Sequence, residues 1–312
     1  MSQQAPNSPI KPPQQIAIIA AEIGWGSGLE SAERGPELLL EEGLAERLQA
    51  KVARIKSEPS MANGPLDGEE LEMAIMDHSA RVSDAVLDAV QQGMFPVVIG
   101  GDHTSAIGFH TGLARAFGET GIVWVDTHPD LNTPETSPSG NIHGMVMAGL
   151  LGRGSENMRA TTRDCQTRQE HVAMVGIRSI DDGEQRWLDE GNINYMTMGD
   201  IQERSEGGAN GLHICMLDAI GTANQADAGY GLTIDLDVID PSQAPFVATP
   251  VDGGIDATEL AQALTDLPRK DRLLGMEVVE FTPRSGNQEL LDAQACCDLV
   301  ASLVTAVTGV TV

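Results

Sequence analysis

Four cysteines in 312 residues are too few for a disulfide framework. They stand at Cys165, Cys215, Cys296 and Cys297; adjacent cysteines rarely pair with one another, and no C-x-x-C spacing occurs. Reduced thiols, as in the cytoplasm, are the simple reading. Basic residues are scarce as well: 19 Lys and Arg against 46 Asp and Glu leave a formal charge of −27. A surface of that sign repels phosphate backbones and anionic lipid, so neither nucleic acid nor membrane is expected as a partner. The acidic residues are spread along the chain rather than gathered in a tail, as in a solvated shell. No uninterrupted run of about 18 apolar residues occurs, so no membrane span is expected. Residues 1–14 are polar and rich in Pro and Gln, without the charged start and apolar core of a signal peptide. The expectation is a cytoplasmic protein with a disordered tail over 1–14 and one domain over 15–312.

What the chain has instead is a series of short apolar runs: IAIIAA (16–21), KVARI (51–55), PVVIGG (96–101), IVWVD (122–126), VAMVG (172–176), INYMTM (193–198), LTIDLDV (232–238) and LLGMEVVEF (273–281). Between several of them lie segments such as 70–93, whose apolar residues recur at three and four, as on one face of a helix. Continuous apolar strands separated by helices imply a parallel sheet buried on both faces. The spacing therefore predicts an α/β fold, a three-layer α/β/α domain with an about eight-stranded parallel sheet. In open sheets of this kind, ligands bind at the carboxyl ends of the strands.

Three of those strand ends carry chemistry. The run GIVWV ends in DTHPD, placing Asp126, His128 and Asp130 two apart. In an extended segment alternate side chains share a side, so all three are expected to converge. GLTIDLDVIDPS places Asp235 and Asp237 two apart at a second strand end, and IGGDHT places His103 after a third. Carboxylates gathered in a sheet repel one another unless a cation lies between them. A set of two His and four Asp suits borderline to hard divalent ions, with Mn²⁺ leading and Ni²⁺, Co²⁺ or Zn²⁺ possible alternatives; no thiolate lies nearby. Six ligands on one ion leave no room for substrate, whereas six shared by two ions do, as in two-metal hydrolases.

The motifs GGDHT, DTHPDLN, TIDLDVIDPS and VVEFTP, in that order, resemble those of the arginase/agmatinase (ureohydrolase) family. The resemblance runs from GWGSGLESAERGPELL to the C-terminal helix. It implies the arginase-like fold, two Mn²⁺ per subunit, and a homotrimer or homohexamer. Asp126 and Asp235 would bridge the ions, with His103 and Asp130 completing one site and His128 and Asp237 the other. Water activated there would attack the carbon of a guanidino substrate, releasing urea and an amine. His143, in SGNIHGM, resembles the family's proton-shuttle histidine, and Glu280 the glutamate that holds the guanidinium; Asp130 belongs to the same catalytic set. Glu277, three residues before Glu280 on the strand, is expected to face away, toward a helix or loop.

The segment around 132–143 resembles the part of the arginase branch that holds an amino-acid tail. Asn132, Ser139 and Asn141 would bind an α-carboxylate, and Asp181 the α-ammonium with Glu184 behind it through water. Thr249 would flank the guanidinium. The expected reaction is hydrolysis of L-arginine or a close α-amino-acid analogue to urea and ornithine or its analogue. Other readings left open by the residues are a different guanidino hydrolase (agmatinase, guanidinobutyrase, formimidoylglutamase or N-hydroxyarginine hydrolase), a deacetylase of similar fold, and a metal-sequestering protein. The chain departs from the family pattern at Thr127, where Ala is usual, at Pro129, at Ser179, where an acid is common, and in HGMVM, where HGMP is usual.

Overall fold

The computed structural model describes residues 15–310 apart from positions 166 and 269. The tail expected over 1–14 lies outside the described residues. Eight strands form one parallel sheet: β1 (Ile16–Glu22), β2 (Lys51–Lys56), β3 (Phe95–Gly100), β4 (Gly121–Val125), β5 (Val172–Ile177), β6 (Asn194–Thr197), β7 (Tyr230–Asp235) and β8 (Leu273–Val279). Their order across the sheet is β2-β1-β3-β8-β7-β4-β5-β6. Each expected apolar run corresponds to one of them.

The inner runs are apolar because both faces are covered, whereas the edge strand β2 is largely exposed and the other edge, β6, only partly buried. Along β4, Val123 and Val125 join the larger core on one side, while Ile122 and Trp124 join a second core on the other. Along β1, Ile16 and Ile18 face the first core, and Ala17 and Ile19 a third small cluster. Helices Glu30–Glu41, Gly211–Ala223, Ala257–Thr265 and Asn287–Thr308 cover the first face; Gly68–Gln91 and Ser105–Phe117 cover the second. The three-layer α/β/α architecture is thus the direct consequence of a period-2 strand with two apolar faces.

Helix Asn287–Thr308 is long and apolar enough, by length and composition, to cross a membrane, although acidic residues interrupt its sequence. Half of its most apolar stretch is buried, and Cys296, Cys297, Val300 and Val304 pack into the first core. That is the position of a core helix.

β3, β8, β7 and β4 are consecutive at the centre of the sheet. β3 leads into the helix Ser105–Phe117 on one side, and the chain then crosses two strands before re-entering as β4. The carboxyl ends of these four strands surround the crevice that such a change of winding leaves.

Candidate metal centre and substrate cavity

All six expected metal ligands meet above those four strand ends. His103 Nδ1 lies 3.0 Å from Asp130 Oδ2, 3.1 Å from Asp235 Oδ2 and 3.3 Å from Asp126 Oδ2. His128 Nδ1 lies 3.0 Å from Asp237 Oδ2 and 3.7 Å from Asp126 Oδ1. Two groups of donors therefore form, His103–Asp126–Asp235 and Asp126–His128–Asp237, with Asp126 common to both. The Asp126 oxygens face both imidazoles, while Asp235 lies beside His103 and accepts from the Asp237 N–H, between the two groups.

Convergence is reached by a different route from the one the sequence suggested. β4 ends at Val125, and residues 126–130 are not an extended strand. Asp130 has φ +51°, a left-handed conformation uncommon for a residue with a side chain. The backbone curls, and the His128 N–H donates to Asp126 Oδ1 at 2.7 Å. A straight segment would have carried Asp130 about 13 Å beyond Asp126. Asp235 ends β7 and Asp237 sits on the turn that follows, Leu236–Val238, where the Asp237 N–H donates to Asp235 Oδ1 at 2.8 Å.

His103 is oriented by stacking on Trp124, with ring centroids 4.2 Å apart and planes 7° from parallel. The turn before it passes so close to β1 that a Cβ at Gly101 would meet the Ile23 carbonyl oxygen at 1.9 Å. Asp102 is a loop anchor rather than a ligand. Its Oδ2 accepts from the Gly26 and Ser27 N–H groups at 2.6 and 3.0 Å, and Oδ1 from Thr104.

These groups carry the electrostatic signature of a cation site. Burial, then the charges of Asp235, Asp130 and Asp237, push the Asp126 carboxyl well above the usual range. Burial and Asp237 push Asp235 up to about 8. Burial opposes charge on the imidazoles, but hydrogen bonds to Asp130 and Asp235 override it and hold His103 well above its ordinary value. His128 is raised to about 9 by Asp237 in the same way, against its burial. Among the described residues, none gives the buried Asp126 Oδ2 a hydrogen bond. Divalent ions fit this donor set: they replace the protons that such a cluster otherwise retains and engage the unpartnered oxygen.

Glu280 and His143 close one side. Glu280 has φ +69° just past β8, and its N–H donates to the Gly101 carbonyl at 2.8 Å. Its Oε1 accepts from the His103 N–H at 2.9 Å and lies 3.0 Å from His143 Nδ1, while buried Oε2 has no hydrogen-bond partner. Burial opposes charge on His143, yet Glu280 overrides it and raises the imidazole to about 9. Glu277 faces away, as expected: its two oxygens accept from Ser105 Oγ at 2.8 Å and Thr233 Oγ1 at 3.1 Å.

The cavity over the cluster is lined by His103, His128, Asp130, Asp235, Asp237 and His143, and by Asn132, Ser137, Ser139, Asp181, Glu184 and Thr249. Asn132 Nδ2 donates to Asp181 Oδ2 at 2.8 Å, joining the two residues expected at opposite ends of an amino-acid tail. Glu184 bonds the Asp181 backbone: Oε2 accepts from the Asp181 N–H at 2.9 Å, and Oε1 from the Leu131 N–H at 3.0 Å. It is the capping-box glutamate of helix Asp182–Glu190 and pins the backbone beside Asp130. Burial raises its carboxyl to about 7. Thr249 Oγ1 donates to Asp237 Oδ2 at 2.9 Å, so its contact here is a metal-ligand candidate. Asn141 lies on a neighbouring cavity with Trp25, Met61 and Leu66 rather than on this one. Ser137 was not among the expected residues; a serine in a turn-rich run carries no signal of its own beside Ser139.

The Arginase family model matches residues 14–306. An arginase of Bacillus caldovelox is 34% identical over 278 residues, covering 86% of this chain and 91% of its own. The crystal structure of an arginase from Bacillus subtilis superposes with a TM-score of 0.79 at 30% identity, over 93% of this chain and 98% of that one. An Entamoeba histolytica arginase solved in complex with L-ornithine gives 0.80 at 26% identity, over 93% and 98%. A Bacillus subtilis formimidoylglutamase, at 18% identity and a TM-score of 0.70, shares the fold. On the breadth of the family match and the identity to arginases across most of both chains, this protein belongs to the arginase family.

Proposed function

We propose that the protein hydrolyses L-arginine to urea and ornithine, using two Mn²⁺ ions. The observation that carries this reading is the pair of imidazole–carboxylate clusters sharing Asp126, with the unpartnered Glu280 Oε2 and His143 beside them. Asp126 and Asp235, with His103 and Asp130 on one side and His128 and Asp237 on the other, would hold the two ions. When bound, such ions supply the Lewis acidity that makes water a strong nucleophile near neutral pH. Mn²⁺ is favoured by an oxygen-rich set with two imidazoles and no thiolate.

The chain's own groups do the rest. Glu280 offers Oε2 to a guanidinium N–H while Oε1 stays fixed by the His103 backbone. Hydrolysis breaks the bond between the guanidinium carbon and the side-chain nitrogen of arginine, and that nitrogen must receive a proton to leave. His143, tied through Nδ1 to Glu280, keeps Nε2 to deliver it. Asp181 takes the α-ammonium, with Glu184 fixing the backbone behind it; Asn132, Ser137 and Ser139 take the α-carboxylate, with Asn141 at the edge of the adjacent cavity. Thr249 orients Asp237. A closed homotrimer or homohexamer in the cytoplasm is proposed with this activity.

The test is urea release by purified protein, loaded in turn with Mn²⁺, Ni²⁺, Co²⁺ or Zn²⁺, against arginine, agmatine and 4-guanidinobutyrate. Two lost hydrogen bonds to a charged group lower agmatine turnover by on the order of a hundredfold or more. Faster hydrolysis of agmatine or 4-guanidinobutyrate than of arginine overturns the arginine reading.

A further inference from the structure

We propose that Thr127 is a positioning residue for Asp237 and, through it, for the ion on the His128 side; the inference rests on the two-ion reading of the cluster. Asp126 and His128 turn into the site, and the intervening Thr127 turns away beneath it, fully buried. Its Oγ1 donates to the Asp237 carbonyl oxygen at 2.8 Å. Arg178 Nη2 donates to the same oxygen, also at 2.8 Å. A carbonyl has two lone pairs, and both are thereby taken. The peptide plane after Asp237 is held from two directions.

The carboxylate of Asp237 is held as well. The Thr127 N–H donates to Oδ1 at 3.3 Å, and Thr249 Oγ1 to Oδ2 at 2.9 Å. Thr127 is itself fixed, because its carbonyl accepts from the Arg178 and Ser179 N–H groups at 3.0 and 3.2 Å. Its branched β-carbon restricts the rotamer, so the hydroxyl is aimed before any ion arrives. This support matters more on the His128 side. His103 is 1% exposed and stacked on Trp124, whereas His128 is 26% exposed and its Nδ1 lies 3.0 Å from Asp237 Oδ2. An alanine at this position would leave one lone pair of the Asp237 carbonyl open. Thr127 closes it.

The experiment compares the wild-type chain with Thr127→Val, which removes the hydroxyl and keeps the shape, and Thr127→Ser, which restores it. Mn²⁺ binding is followed by calorimetry, ion release by a chelator chase, and folding by the melting temperature of the metal-free protein. In Thr127→Val one of two equivalents weakens about tenfold, the range for a partner behind a metal ligand. The other is unchanged, and metal-free melting stays near wild type. The weakened equivalent is the one missing in His128→Asn, and Thr127→Ser recovers it. Two unchanged equivalents, equal weakening of both, or a loss that only tracks lowered metal-free melting each overturn the proposal. Where Thr127→Val does not fold, Thr127→Ser against Thr127→Ala carries the same comparison. A wild-type chain that binds fewer than two equivalents fails the two-ion reading itself, and the proposal with it.

Discussion

The two halves of the cavity are built differently. The acidic floor is made by four strand ends whose side chains are tied across the sheet: His103 to Glu280, Thr127 to Asp237, and Leu131 to Glu184. The wall over residues 133–141 is tied mostly to itself. Thr133 N–H donates to Thr136 Oγ1, Gly140 N–H to Ser137 Oγ, and Asn141 N–H to Ser139 Oγ, all within three residues. Pro138, Ser139, Gly140 and Asn141 are exposed. Long-range bonds in a dry interior are formed once, with the fold, and losing one leaves a buried partner unsatisfied. Local bonds on a solvated loop exchange with water at little cost. The floor therefore tolerates no change, and the wall tolerates graded ones.

The largest effect expected on that contrast is at the shared carboxylate. Asp126→Asn should remove both ions and lower urea release by more than about 100-fold, since even partners behind a ligand are worth 10–100-fold in affinity. His103→Asn and His128→Asn should each weaken one equivalent far more than the other. Metal analysis of the three variants checks this, and equal loss of both ions in all three would erase the distinction between the clusters.

Next comes the proton path. His143→Ala should lower kcat by about 10²- to 10⁴-fold with both ions retained, as for removal of a positioned acid–base group. His143 lines the cavity but contacts Glu280, not a metal-ligand candidate's side chain. Loss of bound Mn²⁺ in His143→Ala would show that its role is structural.

The wall should respond more gently. Ser139→Ala should raise KM for arginine about tenfold with kcat and metal content nearly unchanged. Asn141→Ala should raise it less, because Asn141 lines the adjacent cavity. Steady-state kinetics on both variants decides, and a larger effect at Asn141 would mean that the loop turns on binding substrate.

How much of this was legible beforehand follows the same division. The six inner strands announce themselves because burial on both faces makes them nearly continuously apolar, the edge strands β2 and β6 less so, and the six ligand candidates because pairs at strand ends keep a short, recognisable spacing. What spacing cannot carry is contact across the chain. Asp102 anchors Gly26, 76 residues away; Thr127 holds Asp237, 110 residues away; Arg178 bonds the Val251 carbonyl, 73 residues away. Each is a side chain meeting a backbone group, and nearly any sequence offers that backbone group. The curl at Asp130 is hidden for a related reason: no glycine marks its positive φ, and Pro129 before it does not dictate a left-handed conformation in the residue that follows.

The smallest effect expected lies beneath the floor, where β8 carries two carboxylates with different tasks. Glu280 serves the cavity, and Glu277 is buried between Ser105 and Thr233, joining the segments that bear His103 and Asp235. Burial raises its carboxyl to about 7, against the opposing charge of His103 and the hydrogen bonds of Ser105 and Thr233. A folded-state value raised above that of the unfolded chain means the folded protein binds the proton more tightly. The stabilisation is full below about 4.5, the ordinary glutamate range, and is lost as pH rises through about 7. Its size is on the order of 3 kcal/mol, from 1.36 kcal/mol per unit. Glutamine at this position keeps an acceptor for Ser105 and cannot ionise. Melting of the metal-free Glu277→Gln variant should therefore fall less between pH 5 and 8 than that of the wild-type chain, with the two curves diverging at the alkaline end. Parallel curves across that window would mean that Glu277 stays ionised in the core, held by its two hydroxyl donors, and that the acidic floor extends a layer deeper than the cavity.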